Sequence, residues 1–206
     1  MTKKCSMTAG EQTIIASAKE EFIKKGFKDA SMRVIAKQAG MTVGNVYNYF
    51  QSKDDLFCRT MQPLIEAIDA IFAEHNSEHN LSLDVFFDYS YQSHTMNAIL
   101  ELTDNFASEL KLLWFCADGS SLAGYKDALV TQQTAIGIEY LRLMHDKYPQ
   151  LSIDISPFFL HLTSTFWITL IGEMIRNSHL TREEKQQAIG EYIRYGVAGW
   201  KTLMHV

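Results

Sequence analysis

Residues 31–53 read SMRVIAKQAGMTVGNVYNYFQSK, and their spacing decides the fold. Ile35, Ala36 and Ala39 recur at helical spacing, and Gly40 follows as the residue best able to take the left-handed conformation that ends a helix. Thr42 caps a second helix, on which Val46 and Phe50 stand four apart and turn inward. Gly44, Asn45, Tyr47 and Asn48 are left facing outward. A small residue at Ala36, a glycine four positions on and an aliphatic residue six further on at Val46 let two helices cross closely. That is the geometry of a helix-turn-helix, whose second helix enters the major groove of DNA.

Working outward, Thr8 with Glu11 three positions later forms a capping box, and Ile14, Ile15, Ala18 and Phe22 give the apolar stripe of a first helix that stops at Gly26. Ser31 caps the helix after it, and its hydroxyl with the free amides of that first turn makes a phosphate site. Beyond the outward-facing helix, Ser52 with Asp55 opens a fourth. Leu56, Phe57, Met61, Leu64, Ile68 and Phe72 carry it to about residue 73, with Pro63 inside to bend it.

The chain has 206 residues, of which 47% are hydrophobic and 21% charged, with 3 prolines. This describes a folded, helix-rich protein rather than a disordered one. Its net charge of -5 argues against nucleic acid, but the distribution reverses that. Up to Phe57 there are 9 Lys+Arg against 6 Asp+Glu, net +3; beyond it 10 against 18, net -8. A basic head on an acidic body suits a protein that brings one end to phosphates. Cys5, Cys58 and Cys116 lack C-x-x-C spacing and read as free, mostly buried thiols of a reducing compartment. MTKKCSMT at the start carries no apolar run, so no signal peptide is expected.

Downstream, helices are predicted at about 83–103, 106–116, 122–148, 157–177 and 182–204, making about nine in all. The segment 74–80 closes the fourth helix. Its His75 and His79 have metal-ligand spacing only if helix persists there, and a loop with two solvated histidines is the reading; no metal site is expected. Ser156-Pro157 is a cap with proline at the first helical position, and Thr181 with Glu184 is another capping box. The 157–177 helix is apolar on nearly every side, so it reads as buried against its own domain and another chain rather than as a membrane span. In the last helix Ile189, Ile193, Val197, Trp200 and Met204 form a stripe, with Gly190, Gly196, Ala198 and Gly199 permitting close approach. Two such helices from each of two subunits would make a four-helix dimer interface.

A capped helix carrying IA, an AG turn, then TVGNVYNYF and SKDDLF resembles the DNA-binding domain of the TetR family of bacterial transcriptional regulators. The resemblance covers about residues 11–57 and implies an all-α fold. A three-helix helix-turn-helix domain at 1–53 would precede a larger helical ligand-binding and dimerisation domain at 54–206. It also implies a cytoplasmic homodimer on a palindromic double-stranded operator, usually as a repressor. The positions matching the contact-bearing motif are Arg33, Thr42, Val43, Gly44, Asn45, Tyr47, Asn48, Tyr49 and Lys53. By chemistry, Thr42, Tyr47, Tyr49 and Lys53 suit phosphates, whereas Arg33, Asn45 and Asn48 suit base edges. Val43 and Gly44 allow close backbone approach. Val43 departs from the frequent polar or basic residue, and Asn48-Tyr49 from the frequent histidines, which bears on the operator's sequence rather than on the activity.

Such regulators usually bind a small molecule in the large domain. Phe86, Tyr89, His94, Trp114, Tyr125, Phe166 and Trp167 are candidate walls, and an aromatic-rich site favours a planar, lipophilic or acyl effector; no cofactor is expected. The alternative is a DNA-binding protein of the same build gated by a protein partner. An enzyme is not expected, since the chain has no glycine-rich phosphate loop, no G-x-S-x-G and no H-E-x-x-H.

Overall fold

The computed structural model of the chain describes residues 7–75, 81–83, 87–151 and 154–205. Among these the structure is all helical: α1 (Ala9–Asp29), α2 (Met32–Gln38), α3 (Val43–Val46), α4 (Lys53–His75), α5 (Tyr89–Asn105), α6 (Ala107–Phe115), α7 (Tyr125–Lys147), α8 (Pro157–Arg176) and α9 (Arg182–Met204). Cys5, His79 and Phe86, and the side chain of His75, lie outside the described residues.

The caps read from the sequence fix most helix starts. The Thr8 hydroxyl accepts from the Glu11 amide at 3.2 Å while the Glu11 carboxylate accepts from the Thr8 amide at 2.8 Å. Thr181 and Glu184 repeat the arrangement at the start of α9, and the Ser156 hydroxyl accepts from the Phe159 amide at 3.1 Å. Each such pair satisfies backbone donors that the first helical turn leaves open. α5 begins at Tyr89 rather than near residue 83, because the Asp88 carboxylate accepts from the Tyr91 amide at 2.7 Å and sets the cap there.

The chain divides into two compact units, Met1–Glu66 with Ser108–Tyr125, and Ala67–Ala107 with Lys126–Val206. This compact division differs from a boundary at residue 53, because 108–125 is bonded into the head. The Phe27 amide donates to the Cys116 carbonyl at 2.9 Å. Gly26, at φ +72°, allows that approach, since a Cβ there would lie 3.2 Å from the same carbonyl oxygen. α1 leaves helical geometry at this glycine, where the sequence stops it, and resumes for one turn. Lys19 is ion-paired with Glu109, and the Ser121 amide donates to Asp54 at 2.8 Å.

The core of this first unit is aromatic. Phe22 and Phe27 each meet Phe57 with ring centroids 5.0 Å apart, edge to face, a favoured geometry for such pairs. Ile14, Ala18, Ile35, Val46, Phe50 and Met61 are buried around them. In the second unit α5 packs on α8 and α9, burying Met96, Ile99, Leu100, Ile168, Ile171 and Ile193. Arg182 and Asp104 pair across α9 and α5.

Within a single chain α8 is buried on one side, at Leu160, Ile168, Ile171 and Met174. Phe158, Leu162 and Phe166, four residues apart, are 67%, 48% and 48% exposed. By length and composition α8 is apolar enough to cross a membrane, a test that core helices of other proteins also pass.

Candidate nucleic-acid interface

The turn between α2 and α3 is built by two backbone bonds. The Gly40 amide donates to the Lys37 carbonyl at 3.1 Å and the Met41 amide to the Ala36 carbonyl at 2.9 Å, a Schellman closure requiring the left-handed φ of +69° that Gly40 adopts. Thr42 then accepts from the Asn45 amide at 3.2 Å and starts α3. After one α-turn the backbone tightens, with Asn48 donating to the Asn45 carbonyl and Tyr49 to that of Val46, the narrower helical form common at helix ends.

This short element is anchored by its back, because Val46 and Phe50 are buried. Thr42, Gly44, Asn45, Tyr47, Asn48 and Tyr49 are exposed and Val43 is half-exposed, while Arg33 is exposed on α2. The Asn48 side-chain amide lies 3.5 Å from the Asn45 side-chain oxygen, so the two carboxamides share one edge. Tyr49 lies against α1, where a Cβ on Gly10 would sit 2.9 Å from its hydroxyl. That brace is invisible in the sequence, since the two residues are far apart along the chain.

Gly44 stands apart from the turn glycines. Its φ is not positive, and a Cβ there would meet nothing within 4 Å. Glycine inside a helix costs roughly 0.5–1 kcal/mol against alanine, and nothing among the described residues requires it at this position.

Two residues behave differently from expectation. Ser31 occupies the cap position of α2, but its hydroxyl makes no capping bond; instead its amide donates to the buried Glu21 carboxylate at 3.1 Å. Glu21 thus takes the cap residue's own amide, the donor that an N3 carboxylate takes in a capping box, and not the first-turn amides that the Ser31 hydroxyl was expected to cap. Lys53, expected to reach a phosphate, places its ammonium 3.0 Å from the Lys28 carbonyl and 2.9 Å from that of Ala30. It also lies over the Phe27 ring, 4.6 Å from the centroid. A cation at these carbonyls complements the negative end of α1.

The second unit holds a cavity of about 150 Å³. Phe72, Tyr140, Leu160, Trp167, Ile168 and Trp200 supply apolar wall, and Thr95, Gln133, Thr163 and Ser164 its polar points. Of the expected walls among the described residues, only Trp167 is in this lining. Phe166 points the other way and stacks on Tyr192 at 4.7 Å, because it lies on the exposed side of α8. His94 is exposed beside Glu74. Tyr89 is half-exposed over Gly190, with its hydroxyl 3.2 Å from where a Cβ would be. Trp114 and Tyr125 meet each other with centroids 6.2 Å apart inside the first unit. Tyr140 of α7, an aromatic that the sequence also offers as a wall, lines the cavity, whereas Gln133 and Gly137 were not anticipated, since α7 shows little apolar periodicity. Burial pushes the Tyr140 phenol well above the usual tyrosine range, so it remains uncharged.

Residues 14–59 match the family model described as bacterial regulatory proteins, tetR family. The fold is similar to that of a TetR-like transcriptional regulator from Rhodococcus sp. RHA1, with TM-score 0.67 and 16% identity over 95% of this chain and 100% of that one. It is also similar to NalD, the secondary repressor of the MexAB-OprM multidrug efflux pump in Pseudomonas aeruginosa, at TM-score 0.59 and 19% identity over 91% and 94% of the two chains. FadR from Bacillus subtilis, solved in complex with stearoyl-CoA, superposes at TM-score 0.64 with 14% identity over 91% and 98%. The head of this chain thus matches the tetR-family model over residues 14–59, and its fold over nearly the full length is similar to that of solved TetR-like transcriptional regulators.

Proposed function

We propose that the chain is a cytoplasmic, non-enzymatic repressor that binds a palindromic operator as a homodimer and releases it when a small molecule enters the second unit. The observation carrying this reading is the display of α3, with Val46 and Phe50 buried behind it and Asn45, Tyr47 and Asn48 free in front. Asn45 and Asn48 pair with adenine edges and Arg33 with guanine. Thr42, Tyr47 and Tyr49 touch phosphates, and Gly44 lets the backbone approach the duplex with no methyl in the way. Ser31 contributes an amide-lined helix start rather than a capping hydroxyl. Lys53 positions the head by holding the end of α1.

The exposed stripe of α8 with Tyr195, Ala198, Gly199 and Leu203 of α9 supplies an apolar face for a second copy, with small residues where helices cross closely. Two-fold symmetry then sets the recognition elements about one DNA turn apart, roughly 34–36 Å. The functional division follows from this: residues 1–53 read DNA, and 54–206 dimerise and bind the effector. Repression is named for one structural neighbour and a small molecule occupies another. The apolar cavity favours a small-molecule effector over a protein partner. Binding isotherms on the DNA flanking the gene, with and without candidate effectors, test the proposal; a protein that never discriminates that DNA from a scrambled duplex refutes it.

A further inference from the structure

We propose that the cavity of the second unit takes an uncharged ligand about the size of a single ring, and that Gly137 keeps the space for it. This rests on reading that unit as the effector-binding part of the protein. Gly137 lies within α7, with Gln133 one turn before it and Tyr140 and Leu141 one turn after, and all four line the cavity. The cavity therefore faces one stripe of α7 with glycine at its centre. This glycine has no positive φ, and a Cβ on it would meet nothing within 4 Å. Helix stability favours any ordinary side chain here, and neither a turn nor a neighbouring element demands glycine. What glycine provides is open volume.

The lining fixes the ligand's charge class. Among the described residues it contains no Asp, Glu, Lys, Arg or His, and Tyr140, the one titratable side chain among them, is a neutral donor to the Ser82 carbonyl at 3.4 Å. An ion entering such a wall loses its hydration and meets no counter-charge. The hydroxyls of Thr95 and Ser164 also line it, and the Thr163 proton already goes to the Leu160 carbonyl at 2.8 Å. These suit one or two hydrogen bonds to a neutral molecule lying against Phe72, Trp167 and Trp200. The volume of about 150 Å³ equals that of engineered cavities that hold benzene and falls below the range for drug-sized ligands. A long acyl chain on an anionic carrier, as in the stearoyl-CoA complex of FadR, fits neither the size nor the charge of this wall.

The test uses the full chain and matched probes, benzyl alcohol and indole against benzoate and benzylammonium, read by thermal shift and calorimetry on wild type and Gly137→Leu. A neutral probe is expected to raise the wild-type Tm by about 3 °C at tenfold its Kd, with no shift from either ion. Gly137→Leu is expected to melt at or above the wild-type temperature and to show no shift with any probe. If that variant does not fold, Gly137→Ala carries the comparison, with neutral-probe affinity reduced at least threefold. Equal stabilisation by the ions, no shift from either neutral probe, or an undiminished shift in the glycine variants overturns the proposal. Operator release is measured separately. Binding of a neutral probe in the cavity without release would refute effector gating and leave the ligand class standing.

Discussion

At the residue scale, Gly44 and Lys53 separate binding from folding. Gly44→Ala places a methyl in empty space within the chain, so the protein should become about 0.5–1 kcal/mol more stable. The same methyl meets the duplex, and operator affinity should fall at least about tenfold, near 1.4 kcal/mol; thermal melts and binding isotherms on one preparation check both. Lys53→Ala removes a cation from two carbonyls at the end of α1. It should destabilise the head by about 1 kcal/mol while leaving the salt dependence of DNA binding unchanged, whereas a phosphate contact would lower that slope by about one. Asn48→Ala should cost about 1–3 kcal/mol on operator and little on scrambled DNA, and equal loss on both would reassign it to the backbone. The cap at Thr42 and the left-handed turn at Gly40 were legible because they are local chemistry. The commitments of Lys53 and Ser31 were not, since their partners lie on α1, 10 to 25 positions back along the chain.

Among the elements, α8 carries the clearest consequence. In its exposed stripe Phe166 already stacks on Tyr192, whereas Leu162 is 48% exposed, so Leu162→Glu should leave the helical fold of one chain intact and lower the Tm only by the lost association. A second copy would have to bury that carboxylate unpaired, which is strongly unfavourable. Light scattering should then report a monomer, and operator affinity should drop sharply because each head binds alone; a variant that stays dimeric would place the interface elsewhere. The apolar composition of α8 announced an unusually demanding helix, but not which residues faced inward. Phe166 was expected in a pocket and lies on the open side, one register away from the cavity-lining Trp167. Gln133 and Gly137 of α7 escaped notice for a related reason: neither is an apolar side chain that would mark a hydrophobic stripe. The attachment of 108–125 to the head was equally hidden, because a backbone bond from Phe27 to Cys116 leaves no trace in side-chain pattern.

Across the whole molecule, the charge distribution and the displayed helix point to the same use. The first 57 residues carry net +3 on a chain of net -5, so attraction to phosphates is confined to the end that presents α3, and binding should weaken steeply as salt rises. The all-helical fold and the helix-turn-helix were readable because capping, turn and periodicity agreed over residues 8–57. The direct measurement is a footprint of the purified protein on the DNA flanking its own gene, beside the folded double variant Asn45→Ala/Asn48→Ala. Two protected half-sites about 34–36 Å apart, related by two-fold symmetry and lost in the double variant, are the predicted result. Protection no better than on scrambled DNA, or a double variant protecting the same bases equally well, would contradict the account.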